Sequence, residues 1–388
     1  MPEAVIVATA RSPIGRAFKG SLIDARIDDM GGTIVQALMA KAPAVKPADV
    51  DDVIMGAANH AGEQGYNMAR NIGLLGGLPD SVPGTSVNRF CASSLQSIRM
   101  AFHAIKVGEG DTYVAGGVES VSRTSGKGFN RDDLNPRFTD ESRSDFINHV
   151  YIPMGMTAEN VAEKYDVPRA RMDEFAKISQ DRAVEAQKNG FFEREITPIT
   201  LPDGTVVSQD DCPRANTQLD KLAELKPAFK EDGRVTAGNS CPLNDGAAAV
   251  LVMDEDKARS LGLKPLARIK ASAISGLAPE IMGVGPIEAV GRVLAKAGMS
   301  IKDIDVVELN EAFAAQVLPV CDALGISIED QLNPNGGAIA LGHPFGMTGA
   351  RIMTTLINDL QTLDKTIGLE TMCVGGGQGM AMIIERLA

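Results

Sequence analysis

Two phrases of nearly the same form stand far apart in this chain: Asp49-Val50-Asp51-Asp52-Val53-Ile54-Met55-Gly56 and Asp303-Ile304-Asp305-Val306-Val307-Glu308-Leu309-Asn310. Each follows a helical stretch and runs into a short apolar segment of strand length. What comes next is also shared. A helix from about Ala92 to Val107 leads to a strand at Thr112 to Gly117, and a helix from about Thr348 to Leu360 leads to a strand at Ile367 to Gly375. The chain therefore reads as two copies of one β/α layout. Ala4 to Thr9 is a continuous apolar run, as expected of a strand buried on both faces, and Asp28 to Ala42 carries helical spacing. A second buried strand is expected at Ala247 to Met253, before a Gly262-Leu263-Lys264-Pro265 turn opens the second half. Between the halves, Ser122 to Asn239 has a different texture: Arg/Asp-rich irregular stretches near Arg131 to Ser144, then an amphipathic helix around Asp173 to Asn189. It reads as a long insertion, and such insertions often cover substrates. Alternating β and α phrases with few hairpin signals favour an α/β fold with two similar cores.

Composition narrows the function. At 388 residues and 44% hydrophobic, the chain can bury a large core in two or three domains. A net charge of −12 argues against a nucleic-acid or anionic-membrane surface, while a local basic patch for one anionic ligand stays open. Five cysteines without Cys-x-x-Cys spacing suit a reducing compartment rather than a disulfide framework or zinc ribbon. The N-terminal segment lacks the basic region and length of a signal peptide, and no apolar run approaches a membrane span, so a cytoplasmic protein is expected.

Four segments carry chemistry. Cys91 lies in Val87-Asn88-Arg89-Phe90-Cys91-Ala92-Ser93-Ser94, after a strand-like Thr85-Ser86-Val87 and at the opening of a helix. Unpaired amides and the helix dipole there should favour thiolate over thiol. A buried structural cysteine is the alternative; Ser93 and Ser94 lack the Gly-x-Ser-x-Gly frame of a serine nucleophile. His343, one of four histidines, sits between Gly342 and Pro344 in a tight turn that His60, His103 and His149 lack. No histidine spacing suggests a metal site. Cys373 precedes Val374-Gly375-Gly376-Gly377-Gln378-Gly379, whose amides can approach a ligand oxygen as an oxyanion hole requires, or cradle a phosphate. No Gly-x-x-x-x-Gly-Lys or Gly-x-Gly-x-x-Gly accompanies it. Asn310 and Glu311 follow the apolar Val306-Val307, at the C-terminal end of a strand where α/β sites form; Asn310 can also be read as a helix N-cap.

Together and in this order, these segments resemble the thiolase family of coenzyme A-dependent acyltransferases, and the resemblance covers essentially the whole chain. It implies a thiolase fold: two similar βαβαβαββ halves forming a five-layered αβαβα structure with an inserted loop domain. Residues 1–121, completed by 240–264, would be the N-terminal half, 122–239 the loop domain over the CoA site, and 265–388 the C-terminal half. By the same resemblance Cys91 accepts the acyl group as a thioester, His343 activates it and Cys373 exchanges the proton at the α-carbon. Asn310, through a bound water, and His343 form one oxyanion hole; the N–H groups of Cys91 and Gly375 form the other. Met154, in Pro153-Met154-Gly155-Met156, faces the pantetheine with Phe313 nearby, Arg214 lies against the adenine, and Asn239-Ser240-Cys241 lines the pantetheine, with Cys241 where the family usually has Ser. No tightly bound cofactor is expected: CoA is a co-substrate. The resemblance implies a homodimer or homotetramer and leaves room for a hydratase/dehydrogenase partner. Pro153, where acetoacetyl-CoA-forming members carry His, and Cys91-Ala92-Ser93-Ser94 favour a degradative 3-ketoacyl-CoA thiolase of fatty-acid β-oxidation type over a biosynthetic acetoacetyl-CoA thiolase. A decarboxylating condensing enzyme would need other residues in place of Cys373. A non-catalytic acyl-CoA or lipid-binding relative would have lost Cys91, His343 or Cys373.

Overall fold

The computed structural model describes residues 2–388. Nine strands of four or more residues build it: β1 (Ala4–Arg11), β2 (Asp52–Gly56), β3 (Gly84–Val87), β4 (Thr112–Ser120), β5 (Asn244–Asp254), β6 (Ala267–Gly276), β7 (Val306–Leu309), β8 (Ile367–Val374) and β9 (Gln378–Arg386). The main helices are α1 (Ile27–Lys41), α2 (Met68–Leu75), α3 (Ser93–Val107), α4 (Met154–Lys164), α5 (Arg169–Lys188), α6 (Gly285–Ala297), α7 (Ala314–Leu324) and α8 (Thr348–Thr362). The first half orders its strands β1-β5-β4-β2-β3 and the second β6-β9-β8-β7. The two orders correspond strand for strand, except that the counterpart of β3 shrinks to a single bridge between Val307 and Leu332. The halves join where β1 meets β6, through only two residue pairs, Val5 with Arg268 and Ile6 with Ala267.

The repeated acidic phrase has a physical meaning. Asp51 Oδ2 accepts from the N–H groups of Asp111 (2.7 Å) and Thr112 (2.9 Å) at the start of β4. Asp305 Oδ2 does the same for Thr366 (3.0 Å) and Ile367 (2.8 Å) at the start of β8. One aspartate per half thus satisfies the amides with which the next strand begins.

Three apolar cores separate five layers. α1 and α2 pack Ile34, Leu38 and Ile72 on one face of the first sheet, against Val53 and Leu251. The other face, with Ile54 and Val250, meets α3 and α8 through Leu95, Ile98, Met353 and Leu356, and these two helices also cover Met372 and Met382 of the second sheet. Outside that sheet lie α6 and α7 with Val290, Val293 and Leu318, over Leu309 and Ile383. α3 and α8 are therefore sandwiched, and α8 buries its residues from Thr348 to Leu360. Each large aliphatic side chain so buried contributes about 2 kcal/mol.

The segment between β4 and β5 is less irregular than its composition suggests. α4 and α5 pack Ala158, Val161, Met172 and Phe175 onto the outer core of the second half. It is also tied to β1: buried Arg11 pairs with Glu195 (2.7 Å) and, through both terminal nitrogens, with Asp210 (2.9 and 3.0 Å). The weak hairpin signal hides two hairpins, the short pair Ile199–Thr200 with Val206–Val207 and the longer β8 to β9, turned by Gly376 and Gly377 at φ 75° and 80°. Left-handed backbone at two adjacent positions is what glycine permits.

Candidate active site

The site forms where the N-termini of α3 and α8 meet. Gly349 in the first turn of α8 lies so close to α3 that a Cβ there would overlap the backbone nitrogen of Leu95. Ser94 Oγ accepts from the Ala350 N–H (2.9 Å), satisfying one of the amides a helix leaves unpaired at its start.

Cys91 occupies a single 3₁₀ turn, Phe90–Ala92, between β3 and α3, so the helix starts two residues later, at Ser93. Phe90 is left-handed, φ 45°. Such strain in a bulky residue needs support. Asn88 Oδ1 accepts from the Phe90 N–H (2.8 Å), while Ser93 Oγ accepts from the Arg89 N–H (2.9 Å) and donates to Phe90 O (2.6 Å). Across the pocket, Arg89 donates to Gln378 Oε1 (2.9 Å) and Gln378 Nε2 to Gly375 O (3.0 Å), locking the β8–β9 turn to the Cys91 turn. The N–H groups of Gly375 and of Cys91 itself reach the Cys91 sulfur.

Those two donors favour thiolate, but burial outweighs them and, with Glu119 nearby, pushes the Cys91 thiol up to about 12. The expectation of a resting thiolate is thereby corrected: desolvation at the bottom of the pocket exceeds what the amides return. Cys373, on β8, is fully buried, and its thiol is raised first by burial, then by charge on Cys91 and Cys241. Cys241 is raised by burial and by Cys91. Charge on one of these sulfurs opposes ionising its neighbours, so the three lie within electrostatic reach of one another.

His343 is 1% exposed. Its backbone N–H donates to Asn244 Oδ1 (2.9 Å). Thr348 gives its hydroxyl proton to Pro344 O (2.8 Å), so it can only accept from the ring, at 2.7 Å from Nδ1. The proton of the neutral imidazole thus sits on Nδ1 and the lone pair on Nε2, which lies 3.3 Å from Asn310 Nδ2. Burial, then the charge of Arg351, pull the His343 pKa down to about 3, keeping it neutral. Asn310 follows β7, fully buried, and its Oδ1 has no protein donor.

Sequence reasoning gave no role to three residues that hold this arrangement. Glu119, at the end of β4, accepts from Ala58 N (2.7 Å), Gly346 N (2.9 Å) and Gln64 Nε2 (2.7 Å), pinning the turn after His343 to the first half. Glu311 accepts from Ser179, Asn333 and the Ile339 N–H, fixing the segment before His343. Thr348 sets the tautomer. An isolated acid closing the apolar run Thr112 to Ser120 was the available signal for Glu119.

Of the residues expected to meet CoA, Phe313 forms an antiparallel bridge with Ser240, and the Cys241 N–H donates to Ala312 O (3.0 Å), so these three share one wall with Asn310. Ser240 Oγ already donates to Thr236 O (2.7 Å), which leaves it only an acceptor toward a ligand. Met154 begins α4 and packs beside the same core. Phe229 lies edge-on to Phe313, ring centroids 5.9 Å apart, and against Gly155. Arg214 stands apart from this wall as an exposed side chain whose backbone N–H donates to Gln180 Oε1 (2.8 Å).

Residues 4–256 match the thiolase N-terminal domain and residues 263–386 the thiolase C-terminal domain. The chain belongs to the thiolase family. It is 45% identical to a 3-ketoacyl-CoA thiolase of Bacillus subtilis, over 99% of this chain and 100% of that protein. It is also 45% identical to a β-ketoadipyl-CoA thiolase of Acinetobacter baylyi, over 100% of both. The crystal structure of an acetyl-CoA acetyltransferase from Bacillus anthracis matches with a TM-score of 0.91 at 39% identity, covering 100% of this chain and 99% of that one. Like other thiolases it is an acyltransferase that takes CoA as a substrate. Among the described residues, no helix is long and apolar enough to cross a membrane.

Proposed function

We propose that this thiolase works in the degradative direction, cleaving 3-ketoacyl-CoA with CoA to acetyl-CoA and a shortened acyl-CoA. The pairing of His343 Nε2 with Asn310 Nδ2 at 3.3 Å, together with a Cys91 sulfur near enough to raise the Cys373 thiol, is the observation that supports the chemistry. As Cys91 Sγ attacks the 3-keto carbon, its proton passes to the free lone pair of His343 Nε2 and the carbonyl electrons move onto oxygen. Collapse breaks the bond between carbons 2 and 3, leaving the acyl group on Cys91 and an acetyl-CoA enolate that Cys373 protonates. The Cys373 thiolate left by that protonation takes the proton of a second CoA thiol, whose sulfur removes the acyl group from Cys91, and the proton held on His343 returns to the Cys91 sulfur. Both steps place negative charge on oxygen. The N–H groups of Cys91 and Gly375 supply one set of donors; His343 and Asn310, whose Oδ1 is free to accept from a bound water, supply the other. Phe313 and Met154 make the surroundings apolar, which strengthens those donors.

CoA would enter over the wall of Met154, Ser240, Cys241 and Phe313, with Arg214 reaching its adenine end. A thiol at Cys241 donates more weakly than a hydroxyl would. Pro153 ahead of Met154 and the Cys91-Ala92-Ser93-Ser94 run support the degradative reading, as does the likeness to the 3-ketoacyl-CoA thiolase of Bacillus subtilis. The biosynthetic reading, condensation of two acetyl-CoA, is favoured by the acetyl-CoA acetyltransferase whose structure this chain matches. Thiolysis rates on acetoacetyl-CoA and on longer 3-ketoacyl-CoAs separate the two. Turnover that persists or rises beyond four carbons supports degradation; turnover confined to four carbons overturns it.

A further inference from the structure

The turn that carries His343 belongs to the second half of the chain, yet its imidazole has to serve Cys91 of the first half. Thr348 cannot set that distance. Its hydroxyl donates to Pro344 O (2.8 Å) within the same turn, so the ring and the partner of its Nδ1 move together. Asn244 can set it. This residue opens β5 in the first half, is fully buried, and accepts the His343 N–H on its Oδ1 at 2.9 Å. The other tie from the first half to this turn, Glu119 to the Gly346 N–H, lies three residues further on. No step of the reaction uses the Asn244 side chain.

The amide of Asn244 bonds to three parts of the chain at once. Its Nδ2 donates to Gly15 O (3.0 Å) in the first half and to Cys212 Sγ (3.3 Å) in the insertion, while its Oδ1 holds His343 in the second half. The His343 N–H admits only an acceptor and Gly15 O only a donor, so the amide has a single orientation. Its partners are themselves fixed. Gly15 and Arg16 pair with Asp245 and Asn244. Just before Cys212, Asp210 accepts from the Ile14 N–H (2.7 Å) and Asp211 from those of Arg16 and Ser21 (2.8 Å each). On the other side Gly342, at φ 109°, lies flat against the amide, where a Cβ would stand 2.6 Å from its carbon and its nitrogen. Both that φ and that approach require glycine.

We propose that Asn244 is a positioning residue: its amide, clamped by Gly15 and by Cys212 of the insertion, holds the His343 peptide so that Nε2 stands where it takes the Cys91 proton. The proposal rests on the thiolase reading of the pocket. Thiolysis of acetoacetyl-CoA by the full chain tests it, with kcat and KM for CoA measured in Asn244→Ala, Asn244→Asp, Cys212→Ala and the Asn244→Ala, Cys212→Ala double variant. Asn244→Ala is expected to lower kcat about 10²-fold, the cost of displacing the imidazole by about 1 Å. KM for CoA should stay within about threefold, because the wall of Ser240 and Phe313 has its own bonds. Asn244→Asp should recover kcat to within about fivefold of the wild type, since a buried carboxyl stays protonated and offers an acceptor to His343 and a donor to Gly15. Cys212→Ala should slow the wild type about threefold and Asn244→Ala not at all, because the thiol acts only through the amide. Four results each overturn the proposal: a folded Asn244→Ala that loses less than about tenfold in kcat, one whose KM rises as far as kcat falls, an Asn244→Asp no faster than Asn244→Ala, and a Cys212→Ala that leaves the wild type unslowed or slows Asn244→Ala as much. Should Asn244→Ala fail to fold, the other two single variants decide. Asn244→Asp within about fivefold of the wild type together with a Cys212→Ala slowed at unchanged KM supports the proposal, and a slower Asn244→Asp or an unslowed Cys212→Ala overturns it. A wild type that does not cleave acetoacetyl-CoA ends the thiolase reading and the proposal with it, whereas each of the other adverse results leaves that reading standing.

Discussion

Cys91 and His343 meet as neutral partners, one with its proton held too tightly and the other with too little proton affinity, and the pocket corrects both only when negative charge appears on a substrate oxygen. Catalysis in such a site depends on donors aimed at that oxygen. Asn310, which holds the donating water, is the residue whose removal tests this most cleanly, because its neighbours are held independently: His343 by Thr348 and Asn244, and the strand end by Asn333, whose Oδ1 accepts from the Leu309 N–H at 2.9 Å. Asn310→Ala should lower kcat by about 10² to 10³ with a thermal midpoint near that of the wild type. A loss below tenfold would remove Asn310 from the oxyanion hole. Much of this was legible residue by residue, since Cys91, His343, Cys373 and Asn310 each stand in a short polar or glycine-rich break after an apolar run. Their protonation states were not. A helix N-terminus suggested a thiolate, but at Cys91 burial outweighs the donors, and both the Gly375 amide that opposes it and the Glu119 charge that adds to it are remote in sequence.

At the scale of elements, the decisive contact is the crossing of the first turns of α3 and α8. Gly349 permits it, and the Ser94 hydroxyl on the Ala350 amide fixes its register. Gly349→Ala should push the two helix starts apart and with them Cys91 from His343, costing about 1–3 kcal/mol of stability and more than tenfold in kcat. Chemical denaturation and thiolysis rates measure the two effects; an Ala variant with unchanged kcat would show that the crossing does not set the site. The sequence made the repeated β/α order readable because Asp51 and Asp305 do the same work in each half. It hid the β8–β9 hairpin, whose glycine turn was equally readable as a ligand loop, and the helical core of the insertion, whose apolar residues bury against a sheet that only the second half supplies.

Over the whole molecule, the price of so dry a centre is a stability that depends on pH. His343 is held near 3 where an unfolded chain would have it near 6.5, so below about 6.5 the unfolded state takes up a proton that the folded state refuses. This contribution is complete above 6.5 and is lost as pH falls toward 3. Asp359 acts in the opposite sense: raised to about 7 from 3.8, it contributes fully below 3.8 and loses that contribution as pH rises through 7. Replacing His343 by Gln should therefore flatten the fall in unfolding free energy between about pH 6.5 and 4, removing a slope of up to about 1.4 kcal/mol per pH unit. Urea denaturation of both proteins across that range measures it, and identical slopes would contradict a buried neutral imidazole. The central claim is that thiols and an imidazole from the two halves make one acyl-accepting centre. Intact mass spectrometry after incubation with acetyl-CoA, followed by peptide mapping, tests it most directly: one acetyl group on the peptide carrying Cys91, absent in His343→Gln, is the predicted result, and an acetyl group on any other residue, or none on Cys91, would contradict it.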